Sequence, residues 1–160
     1  RWAALCDRLT AAGAQVVITG SASEQPLIDA LRRVMTSAPA VVVGRTSLME
    51  LACLIRRCDV FVTHDSAPLH IAVAMGRPTV ALFGPTDPAR HVPPSPLVRV
   101  ISKKVFCGPC YSPRCRTITH ACMKRITVDD VFEVVQAALS SQQSAVSNQP
   151  PKIQNPKSKI

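Results

Sequence analysis

Apolar residues along this chain recur in two rhythms, one helical and one of short continuous runs, and the rhythms alternate. Trp2, Leu5 and Leu9 fall at helical spacing, and Gly13 sits where a C-cap belongs, so the chain opens in a helix of about three turns. Gln15 to Thr19 reads as a strand, Thr19-Gly20-Ser21-Ala22-Ser23 as a turn of small residues, and Leu27, Ile28, Leu31, Val34 and Met35 as the apolar face of a second helix. Val41 to Val43 repeats the strand and Gly44 breaks it. Ser47 with Glu50 is a capping box that opens a helix through Leu48, Leu51, Ala52 and Ile55. Val60 to Thr63, with Asp59 before them, reads as a buried strand that ends in the polar group His64, Asp65, Ser66. A helix follows, because Pro68 is tolerated only in a first turn, Ser66 suits an N-cap and Gly76 suits a C-cap. Thr79 to Phe83 and Leu97 to Ile101 are further strands, and Thr127 with Asp130 caps a last amphipathic helix through Val131, Val134, Val135, Ala138 and Leu139.

Strands alternating with helices at this spacing predict a Rossmann-like α/β domain, a parallel sheet of about five strands flanked by helices, over residues 1–139. Right-handed crossovers put every strand-end turn on one edge. The turns at Thr19 to Ser23, Gly44 to Ser47, His64 to Pro68 and Gly84 to Pro88 are therefore expected to line one crevice, where parallel α/β proteins hold ligands.

Composition narrows the function. At 160 residues and 47% hydrophobic content the chain supports one core. With 4% aromatic residues it lacks the stacking surface of a single-strand binder, and nucleic acid is not an expected partner. The formal charge is +9. The segment 140–160 has no acidic residue, is rich in Gln, Ser, Asn and Pro, and reads as a disordered tail. Without its three lysines, sixteen basic and ten acidic residues leave a net +6, which suits phosphate-bearing ligands or peripheral contact with an anionic membrane. No apolar run approaches the ~20 residues of a transmembrane helix. Arg1 opens directly onto the helical pattern with no signal region, so a fragment of a longer protein is expected. Seven cysteines, an odd number, favour a reduced, cytoplasmic compartment over a disulfide framework.

No G-x-G-x-x-G follows the first strand and no G-x-x-x-x-G-K-[ST] occurs. The backbone amides of Ser66, Ala67 and Leu69 can nevertheless meet a phosphate at a helix N-terminus. His70, one turn on, is the sole polar residue between Ala67 and Met75; it fits a buried histidine bonded to a loop carbonyl or a ligand contact. The region from Lys103 to Lys124 loses all periodicity and holds Cys107, Cys110, Cys115 and Cys122, with His120 nearby. It reads first as a loop of reduced cysteines under the last helix. The other readings are a thioredoxin-type C-G-P-C, which Pro113 disfavours, and a structural zinc at low ligand-spacing fit. Cys6, Cys53 and Cys58 read as core residues.

Several ordered motifs carry a resemblance. D-S-A-P-L-H with the following A-x-G-x-P-x-V-A-L-F-G-P-T-D-P resembles the D-[ST]-G-x-x-H and G-P-T-D-P signature of glycosyltransferase family 9, the lipopolysaccharide heptosyltransferases. G-R-T-S-L-M-E-L-A-C-L-I, the early V-V-I-T-G and the segment ending C-M-K-R-I-T are similar to further family motifs, so the resemblance spans roughly Arg1 to Leu139. It implies one half of a GT-B architecture, the carboxyl-terminal donor-binding domain. The implied reaction is transfer of a sugar, heptose from ADP-heptose, to a lipopolysaccharide-core or other anionic lipid-linked acceptor. By the resemblance Asp65 and His70 contact the donor sugar, Ser66 and Ala67 offer amides to the diphosphate, Thr46 lies by the adenine and Glu24 by the ribose. Gly84, Thr86 and Asp87 are implied loop contacts. Ala67 stands where the family most often has Gly. The family's catalytic carboxylate lies in an amino-terminal Rossmann-like domain, so no catalytic residue is assigned here and this chain alone is expected to be inactive. No cofactor is required. The rivals are a nucleotide-binding module without catalysis and a metal or redox protein built on Cys107 to Cys122.

Overall fold

The five residues Thr79–Phe83 form a strand, β4, in which every residue is buried. Strand β3 (Phe61–His64) and strand β5 (Val98–Ser102) pair with it in parallel on either side, in the order β3-β4-β5. Alternation along β4 explains why a continuous apolar run is needed, since both faces are covered. Val80 and Leu82 point into a core with Leu5 and Leu9 of helix α1 (Trp2–Ala11) and Val131 and Val135 of the last helix. Ala81 and Phe83 point the other way, onto Leu69. Burying Leu82 or Phe83 in this way stabilises the fold by roughly 1.5–3 kcal/mol each.

The structure is a computed structural model that describes residues 1–147, with side chains through Ser141. Strands β1 (Val17–Ile18) and β2 (Ala40–Val41) make a separate two-stranded parallel sheet. The expected five-stranded sheet is therefore two sheets. No ladder bonds join β1 to β3, and apolar packing links them instead, with Val16 against the same core as Val60 and Val62. Helix α2 (Gln25–Arg33) has its expected apolar face largely outside: Ile28 is buried, but Leu27 and Val34 are 66% and 70% exposed. Helical spacing gives a face its direction, not its cover.

Helix α3 (Leu48–Arg57) begins with the expected capping box, Ser47 N–H donating to Glu50 Oε2 at 2.7 Å and Glu50 N–H to Ser47 Oγ at 3.3 Å. Cys53 lies exposed on it, contrary to the core reading; Cys6 is buried and Cys58 half-buried. Helix α4 (Ala67–Ala74) follows β3, and Gly76 ends it at φ +64. Helix α5 (Pro88–His91) and helix α6 (Ala121–Lys124) are single turns. Helix α7 (Val128–Ser147) starts on the Thr127–Asp130 pair, with Thr127 N–H to Asp130 Oδ2 at 2.7 Å, and Lys103 Nζ donates to Asp130 Oδ1 at 2.8 Å. It continues through residues 140–147, which were expected to be disordered. Gln, Ala and Ser extend a helix already paid for by packing, and no Pro intervenes before Pro150. Residues 148–160, the rest of that expected tail, lie outside the described residues.

Candidate ligand-binding site

Parallel register sets His64 opposite Leu82, so the chain leaves β3 and β4 side by side at their carboxyl ends. The turn His64-Asp65-Ser66 and the turn Gly84-Pro85-Thr86 then flank a cleft of about 210 Å³, lined by His64, Asp65, Leu82, Gly84, Thr86 and Met123. A smaller apolar recess of about 160 Å³ adjoins it, sharing His64, Leu82 and Met123 and reaching Trp2 and Val131.

Asp65 sits at the cleft with its carboxylate 20% exposed, and His91 Nδ1 of α5 stands 3.8 Å from Asp65 Oδ2. His64 meets Trp2 edge-on, ring centroids 5.4 Å apart, and lost hydration pushes its pKa below the ordinary histidine value. Thr86 Oγ1 is buried and has no hydrogen-bond partner. Gly84 is required by closeness: a Cβ there would collide with Met123 Sδ and lie 2.8 Å from Met123 Cγ.

Ser66 occupies the N-cap position of α4, yet its hydroxyl turns back to the strand, 3.2 Å from Thr63 Oγ1 and 3.3 Å from the His64 carbonyl it donates to. The expected side-chain cap is thus absent. Leu69 N–H donates to the Ser66 carbonyl at 3.0 Å, which removes it from the expected anion-binding set. Ser66 and Ala67 keep their amides without a protein partner among the described residues, and Pro68 has none to offer. Ala67 is an ordinary helical residue, outside the left-handed set of Tyr111, Ile118 and His120, so its replacement of Gly carries no strain. His70 is exposed, in a stripe with Ala67 and Ala74, which excludes the buried structural histidine.

Glu24 and Thr46 belong to the turns after β1 and β2 and do not line the cleft. The Glu24 carboxylate folds back to accept from Ser21 N–H at 2.7 Å and Ser21 Oγ at 2.8 Å, and these bonds lower its pKa. Thr46 is half-buried. The two turns do press together, since a Cβ on Gly44 would lie 2.8 Å from Ala22 Cα. Asp87 Oδ1 is occupied as the cap of α5, accepting from Ala89 N–H at 3.0 Å.

The cysteine segment packs over the β4 turn, and only its end, at Met123, meets the core that α7 covers. Cys110 N–H and Tyr111 N–H both donate to the Pro85 carbonyl at 2.9 Å, and the Tyr111 ring lies 6.0 Å from that of His91. Among the described residues no three His, Cys, Asp or Glu side chains gather closely enough to hold a metal, those of Cys107, Cys110, Cys115 and Cys122 included. All seven cysteines are free thiols. Tyr111 at φ +50 ends any helix after Cys110, which the thioredoxin reading needs. Cys115 Sγ accepts from His120 N–H at 3.3 Å and lies 3.5 Å from Thr117 Oγ1; the Thr117 hydroxyl first, then the amide, lowers its pKa. Nothing in the spacing of His91, Tyr111, Met123 and Trp2 marks them as site residues, because only the fold brings them to the neighbourhood of Asp65 and His64.

A parallel α/β unit with a polar strand-to-helix corner beside a Gly-Pro turn is a Rossmann-like arrangement, of the kind in which ligands bind outside the carboxyl ends of the strands. The family profile described as glycosyltransferase family 9 (heptosyltransferase) matches residues 1–120, and the chain belongs to that family. Among relatives, lipooligosaccharide heptosyltransferase 2 of Haemophilus influenzae is 36% identical over 97 residues, 58% of this chain and 28% of that protein. Lipopolysaccharide heptosyltransferase 2 of Escherichia coli K12 is 36% identical over 104 residues, 62% of this chain and 30% of that protein. The chain therefore spans about 30% of the length of these curated relatives. Among solved structures, the Escherichia coli ADP-heptose lps heptosyltransferase II superposes with TM-score 0.74 at 30% identity, over 89% of this chain and 41% of that one. The glycosyltransferase family 9 protein of Veillonella parvula shares the fold, with TM-score 0.76 at 23% identity over 88% and 40% of the two chains. The fold is thus part of the family's GT-B structure.

Proposed function

We propose that this chain is the carboxyl-terminal donor-binding half of a heptosyltransferase that transfers heptose from ADP-heptose to a lipopolysaccharide-core acceptor at the cytoplasmic side of the membrane. The observation that carries the reading is the corner at Asp65, Ser66 and Ala67, where a half-buried carboxylate and two unengaged amides stand together at the edge of the cleft. Asp65 accepts from the hydroxyls of the donor sugar, and His70, free and exposed one turn along α4, reaches the same sugar. The amides of Ser66 and Ala67, at the positive end of the helix, take the diphosphate. Thr46 neighbours the adenine, and Glu24 reaches the ribose on leaving Ser21.

The reaction is a direct displacement at the anomeric carbon: an acceptor hydroxyl attacks, the bond to the diphosphate breaks, and the departing charge is met by amides already aimed at it. No cofactor is proposed. The base that takes the acceptor proton comes from a second Rossmann-like domain outside this chain. Calorimetric titration of ADP and ADP-heptose into the wild type, Asp65→Asn and His70→Ala tests the assignment. The variants should lose affinity for the sugar nucleotide and keep it for ADP; equal losses refute the sugar contacts. Incubated with ADP-heptose and a deacylated core acceptor, the chain alone should give no turnover, and multiple turnovers would locate the base within it.

A further inference from the structure

From Lys104 to Arg125 the chain carries no acidic residue. Its five cations, Lys104, Arg114, Arg116, Lys124 and Arg125, are all exposed, and among the described residues none makes an ion pair. The nearest acids downstream are already engaged, Asp129 by Arg8 and Asp130 by Lys103. The same stretch exposes apolar side chains that a monomer in water gains nothing by showing: Phe106 is 93% exposed, Ile118 82% and Tyr111 45%. Two of these three, Tyr111 and Ile118, hold left-handed backbone at φ +50 and +60, an uncommon conformation for bulky side chains and costly for a β-branched one.

We infer that the segment 104–125 docks this protein on an anionic lipid bilayer, its cations meeting the headgroup charge and Phe106 and Ile118 entering the interface. This goes beyond the donor-binding reading and does not depend on it. Cations interspersed with projecting apolar side chains fit a surface that is negative outside and apolar just beneath. A nucleic acid would reward the cations but offers isoleucine no stacking partner. The attachment also fixes orientation: Cys110 and Tyr111 are hydrogen-bonded to Pro85, at the rim of the cleft, so the docked segment would bring the cleft close to the lipid surface.

Sedimentation with vesicles tests this. The protein should bind vesicles of equal parts phosphatidylglycerol and phosphatidylethanolamine, leave phosphatidylcholine vesicles in the supernatant, and come off at about 1 M salt. Arg114→Gln with Arg116→Gln should weaken binding roughly 25-fold, about five-fold per cation. Phe106→Ser with Ile118→Ser should weaken it several-fold at low salt, with the melting temperature unchanged. Phe106→Trp should add an emission that shifts to the blue with vesicles. Equal binding to phosphatidylcholine, or indifference of binding to both double substitutions, overturns the inference, as does displacement from the vesicles by duplex DNA at equal charge. If the arginine pair fails to fold, Lys104→Gln with Lys124→Gln makes the same test.

Discussion

Asp65 Oδ2 and His91 Nδ1 face each other across 3.8 Å, the one following β3 and the other ending α5. That distance is too long for a hydrogen bond and within reach of an ion pair when the imidazole is protonated. The Tyr111 ring lies 6.0 Å from that of His91 and is tilted 41° to it, so the cysteine segment also meets the histidine that faces Asp65.

His91→Ala is expected to weaken ADP-heptose binding several-fold by freeing the Asp65 carboxylate, with ADP binding unchanged. The imidazole is 39% exposed, so the melting temperature should move little, the pair being worth about 0–1 kcal/mol. Titration calorimetry of both nucleotides decides it, and equal loss of both would show that His91 does not act through Asp65.

Ser66→Ala should cost about 0.5–1.5 kcal/mol of stability, from the lost bonds to Thr63 and the His64 carbonyl rather than from a lost helix cap. Thr63→Val should cost a similar amount, and the double variant less than the sum, because the two hydroxyls share one contact. Denaturant midpoints for the three variants check this; strict additivity would contradict the shared contact.

Gly84→Ala forces Met123 out of its place, and overpacking of this kind costs about 1–3 kcal/mol. Met123→Ala alone should also destabilise, by opening space beside Leu82 and Ile126. In the background of Met123→Ala, however, Gly84→Ala should cost far less. Thermal melts of the four proteins would show the compensation, and unchanged cost in the Met123→Ala background would rule it out.

His64 has its pKa lowered from 6.5 by desolvation, so between the folded value and 6.5 the folded chain binds fewer protons than the unfolded chain. The His64 contribution to stability is therefore full above 6.5 and is lost as the pH falls through the folded value. Trp2, the single tryptophan, reports it directly, because a protonated imidazole at its edge quenches indole fluorescence. A fluorescence titration should show a midpoint below 6.5 that disappears in His64→Gln; a midpoint at or above 6.5 would contradict the desolvation.

What the sequence reveals of this molecule is what is local. The capping boxes at Ser47 and Thr127, the buried run Thr79–Phe83 and the Gly76 helix end are each written within a few residues, and each appears as expected. The corner at Asp65 is legible for the same reason. Ser66 shows where that stops: its position is that of a cap, but the choice of partner for its hydroxyl was settled by Thr63, on the strand. His91, Tyr111 and Met123 are farther out of reach, since their neighbours at the cleft are 20 or more residues away in sequence and the contacts exist only once β3, β4 and the cysteine segment have been laid side by side. The exposed face of α2 marks the opposite limit. Periodicity at Leu27 and Val34 is genuine, yet no neighbour among the described residues covers them.

Two N–H groups converge on the carbonyl of Pro85, which fills both of its lone pairs. A proline has no N–H, so Pro85 can neither give nor take a hydrogen bond at the cleft. Asp87 next door does not line the cleft, and its Oδ1 accepts from Ala89 N–H of its own helix. Of the side chains of Gly84, Pro85 and Thr86, which form this wall, the one hydroxyl, that of Thr86, is itself buried. To a ligand of the proposed kind such a wall would present an outline, and the polar side chains left to tell one chemical group from another are those on the Asp65 side.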